Sequence, residues 1–146
     1  MQRGISMKIK KIFLVFISIV LVLTGCGNGI KNVGNKVIVE KRIGELDNYQ
    51  YCNEIKDNKE VQKVKDILDT TTWNNVEVNM AYPPDYAFHF EDTNGKASEA
   101  VYKLWISPNK DKVELVIDSV NRYVHLNEQV SSVLFKIITG KELGSV

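Results

Sequence analysis

Residues 86–117 read YAFHFEDTNGKASEAVYKLWISPNKDKVELVI, and this stretch decides the fold. Apolar and polar side chains alternate in three runs, which is the pattern of β-strands that bury one face. Asn94-Gly95 separates the first two runs and is a strong signal for a tight hairpin turn. Residues 107–111 form the turn between the second and third runs. Because tight turns join antiparallel neighbours, the stretch predicts three consecutive antiparallel strands.

Shorter strand patterns flank this stretch on both sides. Residues 36–43 are rich in β-branched side chains, residues 76–80 alternate, and residues 121–126 give a short last strand. Residues 44–55 are ambiguous and fit either a short strand or an ordered loop.

Two segments have the spacing of amphipathic helices. The first follows Asp57 and Glu60, which are placed as in a capping box, and ends near Asp69. The second follows Asn127 and is closed by Gly140, where a C′ glycine belongs. Both apolar stripes need one apolar sheet face to cover. The sequence therefore predicts an α+β fold, with a single, mostly antiparallel sheet of five or six strands and two helices packed on one face.

A family resemblance rests on a set of structural motifs in this order. They are Trp73, Pro83-Pro84-Asp85-Tyr86, Tyr102 with Leu104-Trp105-Ile106-Ser107-Pro108, residues 123–126 and Thr139-Gly140. Over about residues 36–141 the chain resembles the YhfM-like domain of small lipoproteins from Gram-positive, spore-forming bacteria. None of these motifs is catalytic, so the resemblance implies a fold and transfers no functional residue.

The N-terminal residues form a targeting signal. Lys8, Lys10 and Lys11 precede an uncharged apolar run over residues 12–23, which is too short to span a bilayer and matches the core of a secretory signal peptide. Leu23-Thr24-Gly25-Cys26 then resembles the lipobox of bacterial lipoproteins. The resemblance implies that the Cys26 sulfur carries a diacylglyceryl group, with acyl chains such as palmitate, and that Cys26 becomes the mature N-terminus. The alternative is an ordinary signal peptide or an uncleaved anchor.

These features divide the chain into three parts. Residues 1–25 are predicted to be the lipoprotein signal peptide, residues 26–35 a lipidated flexible tether, and residues 36–146 a single globular α+β domain. Translation from Met1 or from Met7 would give the same mature protein. The predicted location is the extracytoplasmic side of the cell membrane.

Charge and cysteine content exclude several classes of protein. Removing the four basic residues before Cys26 leaves 15 basic and 18 acidic residues, a net charge of −3. This balance argues against nucleic acid as a partner and against a polybasic membrane patch. With Cys26 lipidated, Cys52 is expected to be a free thiol with no base beside it.

One face of the predicted sheet is a candidate binding face. Alternation places six polar and aromatic side chains opposite the helices, namely Trp105, Lys103, Glu114, Asp85, His89 and Glu91. Aromatic and charged residues suit a recognition surface. The alternative is a solvated face on which the loop at residues 44–55 covers Trp105. Asp85, His89 and Glu91 are too loose a set to predict a metal site.

The sequence favours a binding or interaction module over an enzyme. No nucleophile motif, phosphate loop or paired carboxylates stand out, and no cofactor or metal is expected. The predicted partners are the membrane, through the lipid on Cys26, and an envelope protein or small ligand. The alternatives are a small hydrolase or transferase that acts on envelope material, or an accessory subunit of a membrane complex.

Overall fold

The computed structural model describes residues 29–146, so the predicted signal peptide and Cys26 lie outside the described residues. These residues form one sheet and two helices. The strands are β1 (Lys36–Arg42), β2 (Tyr49–Ile55), β3 (Asn74–Asn75), β4 (Tyr86–Glu91), β5 (Ala97–Ile106), β6 (Val113–Ile117) and β7 (Arg122–His125). The helices are α1 (Asn58–Thr70) and α2 (Glu128–Thr139), and short 3-10 turns cover Asp118–Val120 and Leu143–Ser145.

The strands form one sheet in the order β2-β1-β4-β5-β6-β7-β3, and every neighbouring pair is antiparallel. The predicted α+β architecture with its antiparallel sheet and two helices is confirmed. The predicted strand number was wrong, because the sheet has seven strands and not five or six. The ambiguous residues 44–55 contain a full edge strand, β2, whose pairing partner β1 could not be read from local pattern.

The strand predicted at residues 76–80 was also wrong. β3 ends at Asn75, and no strand covers residues 76–80. The chain instead turns out of the sheet and reaches Tyr82, which lies beside Trp105 of β5. Alternation of apolar residues in this segment therefore reflects a covering segment and not a sheet strand.

One continuous core holds the fold together. It contains side chains from both helices and from one face of the sheet, including Phe88, Tyr102, Leu115, Leu134 and Ile138. The rings of Phe88 and Tyr102 stack with their centroids 5.0 Å apart across the β4–β5 pair. Core residues alternate along β1, β4, β5 and β6, as the sequence pattern requires when only one face is covered by helices.

The helix boundaries agree with their predicted caps. The Asp57 carboxylate accepts hydrogen bonds from the backbone N–H groups of Lys59 and Glu60 at 2.9 and 3.0 Å. The Asn127 side chain accepts from Val130 N–H at 2.9 Å, and Gly140 has a φ of 72°, which favours glycine. Among residues 29–146, no helix is both long and apolar enough to cross a membrane.

Residues 29–35 lie against the domain, contrary to the flexible tether predicted for residues 26–35. The Asn35 N–H donates to the carbonyl oxygen of Glu91 at 3.0 Å, and Lys65 Nζ donates to the carbonyl oxygen of Gly34 at 2.6 Å. Ile30 packs against the core. Composition predicted flexibility because glycine and asparagine dominate, but these tertiary contacts are invisible to composition. The folded unit therefore includes residues before Lys36.

Candidate functional site

Five of the six predicted face residues lie on strands, at positions that alternate with the core residues of β4, β5 and β6, and Asp85 directly precedes β4. Ala87 pairs with Lys103, and Trp105 pairs with Glu114, which places these outward positions of the three strands side by side. We call this surface the outer face. Alternation along a strand predicts which face a side chain lies on, but it does not show which side chains are free to bind.

Trp105 is covered by the protein itself. Its side chain is 5% exposed, and its indole N–H donates to the carbonyl oxygen of Tyr82 at 2.8 Å. The segment between β3 and β4, which contains Tyr82, therefore contacts Trp105 directly and is called the covering segment. The indole ring is buried and its N–H has a hydrogen-bond partner. Trp105 therefore holds the covering segment on the sheet and is not an exposed binding residue.

Asp85 is engaged in a structural link at the end of the sheet. One carboxylate oxygen lies 3.1 Å from Arg42 Nη2, and the other accepts from the Ile106 backbone N–H at 2.9 Å. Arg42 also donates to the carbonyl oxygens of Pro84 and Gly44. Asp85 and Arg42 therefore connect β1, β5 and the segment before β4, which leaves neither group available as a free ligand.

His89 and Glu91 belong to a row of polar side chains across β2, β1 and β4. Lys36 Nζ lies 2.5 Å from Glu91 Oε1 and 3.6 Å from Glu54 Oε1, and His89 Nε2 is 3.9 Å from Glu91 Oε2. The hydrogen bond with Glu91 raises the pKa of Lys36, and the hydrogen bond with Lys56 lowers the pKa of Glu54. Within residues 29–146, no three His, Cys, Asp or Glu side chains form a group that could hold a metal ion.

Lys103 and Glu114 are also paired. Lys103 forms a salt bridge with Asp118, which follows β6 directly. Glu114 accepts a hydrogen bond from the Tyr123 hydroxyl at 2.8 Å. Burial and this contact with the carboxylate raise the pKa of Tyr123 to about 12. The outer face is thus a set of satisfied polar pairs around a covered tryptophan.

Three exposed apolar side chains lie on two loops at one end of the sheet. Ile43 is 50% exposed, Leu46 72% and Tyr82 48%. We call residues 43–48 and 81–84 the distal loops. They are joined through Pro84, whose carbonyl oxygen accepts from Arg42 Nε at 3.2 Å and from the Tyr49 hydroxyl at 2.9 Å.

This loop pair was missed by sequence reasoning. The sequence pattern leaves residues 44–55 open as a strand or a loop, and Pro83-Pro84 indicates only the end of the preceding strand pattern. The signal that could have found it is the apolar Ile43 and Leu46 beside Gly44, since large apolar side chains in a turn lack a core of their own. The order of strands in the sheet decides that the loop of Ile43 and Leu46 lies beside residues 81–84, and this order cannot be read from local sequence.

Two shallow hollows and one cysteine complete the candidates on the described part of the chain. One shallow hollow runs along the solvent side of α1, and another lies beside Gly29 and Ile30. Cys52 is a free and exposed cysteine in β2, and partial burial of the thiol raises its pKa. A raised pKa makes a thiol a poorer nucleophile at neutral pH.

Comparison with known proteins gives one family and one structural likeness. The model of the YhfM protein family matches residues 30–143. A thioesterase-like protein from Clostridium sporogenes ATCC 15579 has a similar fold, with 16% sequence identity and a TM-score of 0.49, over 70% of this chain and 92% of that chain. No curated protein matches the chain.

Proposed function

The chain belongs to the YhfM protein family, and from that premise we propose that it is a lipid-anchored binding module on the outer face of the cell membrane. Its lipid is attached at Cys26, and its distal loops engage a protein partner of the envelope. The anchor and the binding surface are supported by separate observations.

The anchor is supported by the order of sequence elements before the domain. A basic start, a short apolar run and Leu23-Thr24-Gly25-Cys26 follow one another without a charged interruption. Two acyl chains bury many methylene groups at about 0.8 kcal/mol each, which is sufficient for stable membrane attachment. The family match starts at residue 30, which is four residues after Cys26.

The binding surface is supported by one observation above all, the exposure of Leu46 on a braced loop. Leu46 is 72% exposed, and covering its apolar side chain with a partner lowers the free energy of the complex. The Ile43 N–H donates to the carbonyl oxygen of Asn48 at 2.9 Å, which closes the loop on itself. Arg42 then fixes the loop to Pro84, so the apolar side chains are presented with little loss of conformational freedom on binding.

Tyr82 extends the same surface with an amphipathic ring. Tyrosine is enriched in protein interfaces because its ring buries a large apolar area and its hydroxyl can bond at the rim. The Tyr82 backbone carbonyl is held by Trp105, while the side chain stays 48% exposed. The covered tryptophan therefore supports the exposed tyrosine.

The anchor is tested by Cys26→Ser in cells supplied with a labelled fatty acid. We expect the wild-type protein to carry the label and to sediment with membranes. The variant should carry no label and should appear in the medium or as an unprocessed precursor. Equal label in both proteins would contradict lipidation at Cys26.

The binding surface is tested by crosslinking on intact membranes. Leu46→Ser and Tyr82→Ser should each lower the yield of crosslinked partner by about tenfold, as expected when an interface loses roughly 1.4 kcal/mol. Val101→Ser is the matched control, because Val101 is also exposed, at 43%, but lies on β5 away from the distal loops. Equal loss in all three variants, or no loss at Leu46 and Tyr82, would contradict this assignment.

A further inference from the structure

Gly29 and Ile30, which precede the first strand, lie in a shallow hollow on the surface of the domain. Gly29 and Ile30 line a shallow hollow together with residues of β3, the segment after it and the turn between β6 and β7, namely Asn75, Val76, Glu77, Val120, Asn121 and Arg122. We call this surface the anchor end.

Direct contacts hold residues 30–35 in place beyond that hollow. The Asn32 side chain donates to Asp69 at 3.1 Å and accepts from the Tyr102 hydroxyl. Lys65 and Glu91 bind the backbone of Gly34 and Asn35. Because the segment is bonded at several points, the domain cannot swivel freely about it.

The distance from the proposed lipid to the anchor end is short. Three residue steps separate Cys26 from Gly29, and a fully extended chain covers at most about 3.6 Å per residue. Gly29 therefore lies within roughly 11 Å of the lipidated residue. The headgroup layer of one leaflet is itself about 5–7 Å thick. An anchor in the bilayer thus holds this end of the domain at the membrane surface.

The anchor end carries exposed apolar side chains where the bilayer would meet it. Val76 is 44% exposed and Val120 is 49% exposed, and both flank the hollow that contains Gly29. Arg122 and Glu77 line the same hollow and balance one another in charge. The surface therefore suits apolar contact at the interface more than attraction to anionic lipid.

We infer that the anchor end rests directly on the bilayer, with Val76 and Val120 in the headgroup region. This inference depends on the proposed lipid at Cys26 and goes beyond it, because it fixes the orientation of the domain. β1 runs from the Glu91 end of β4 towards the distal loops over 7 residues. Measured along the strand at about 3.3 Å per residue, the distal loops lie roughly 20 Å beyond the Glu91 end of the sheet, on the side away from the anchor end.

The orientation is tested with the full lipoprotein in vesicles that contain phosphatidylcholine, phosphatidylglycerol and a nitroxide-labelled lipid. In a Cys52→Ser background, a fluorophore is attached to Val120→Cys, Glu77→Cys or Asn109→Cys. Asn109 is the control, because it is exposed in the turn at the opposite end of β6. Quenching at residues 120 and 77 should exceed quenching at residue 109 several-fold, and added salt should change it little.

Mass spectrometry of the same samples separates the two proposals. A sample without the mass of the lipid would overturn the proposed anchor. A lipidated sample with equal quenching at all three sites, or with more quenching at residue 109, would overturn the orientation alone. The Glu77 site keeps the test decisive if the Val120 variant fails to fold.

Discussion

The indole N–H of Trp105 donates to the carbonyl oxygen of Tyr82 at 2.8 Å, and this bond joins the middle of the sheet to a segment that crosses its outer face. It accounts for an aromatic residue that alternation places opposite the helices and that is nevertheless buried. It also gives the most direct test of whether the tryptophan is structural.

Replacing Trp105 should reduce stability and not only binding. Trp105→Ala should lower the free energy of unfolding by about 3 kcal/mol, as large-to-small changes in buried sites do. Trp105→Phe keeps most apolar area but loses the bond to Tyr82, and should cost about 1 kcal/mol for that bond alone. Denaturant unfolding of the lipid-free chain that begins at Gly27 measures both. Val101→Ala on the same strand is the control and should change stability by less than about 0.5 kcal/mol.

Ser131 should be the most sensitive polar residue of the core. Its side chain is 0% exposed, and its Oγ accepts from the Val113 N–H at 3.0 Å and donates to the carbonyl oxygen of Leu126 at 3.3 Å. Ser131→Ala leaves the Val113 N–H buried without a partner, which should cost about 1–3 kcal/mol. Ser132→Ala, at the next and partly exposed position, is the matched control. Equal melting temperatures for the two variants would show that the Ser131 bonds contribute nothing.

Removing residues 27–35 should destabilise the domain. A chain that begins at Lys36 loses the packing of Ile30 and the bond from Asn35 N–H to Glu91. We expect a loss of about 2 kcal/mol or more relative to the chain that begins at Gly27, from apolar burial and hydrogen bonding together. Thermal and denaturant unfolding of the two chains give the difference. Coincident unfolding curves for the two chains would contradict this prediction and would support a flexible tether at residues 27–35.

Alkaline pH should weaken the fold through Tyr123. Its pKa is raised from 10.0 to about 12, mainly by burial and then by Glu114. The folded state therefore keeps a proton that the unfolded chain has already lost, so this stabilisation is complete below about pH 10 and is lost as pH rises towards 12. Burial also raises the pKa of Tyr49 and Tyr102, which adds to the same trend.

Tyr123→Phe isolates the contribution of this one hydroxyl. The variant should show a shallower fall in unfolding free energy above pH 10, since one of the shifted groups is gone. Absorbance of tyrosinate in the folded protein measures the titration directly. An unchanged slope in the variant, or titration of Tyr123 at its ordinary pKa, would contradict the assignment.

Local pattern was sufficient for much of the fold. Alternation assigned β4, β5 and β6 and their buried faces, and the capping residues Asp57 and Asn127 located both helices. These features depend on residues that are only a few positions apart, so they can be recognised directly in the sequence. Strand pairing depends on distant residues, so the strand at β2 stayed an open alternative, β3 was not predicted, and residues 76–80 were assigned to the sheet in error.

The amino-acid sequence by itself determined the α+β class, the cap residues and the alternation that separates the two faces of β4, β5 and β6, because each follows from side-chain chemistry at fixed local spacing. The prediction of lipidation at Cys26 rests on a resemblance to the lipobox and stays a prediction. Only the tertiary structure decided that Trp105 is covered, that Asp85 is held by Arg42, and that residues 30–35 belong to the folded domain. Each of these contacts joins residues more than 20 positions apart. Burial and ion pairing are set by such neighbours, and the linear order of residues does not contain them.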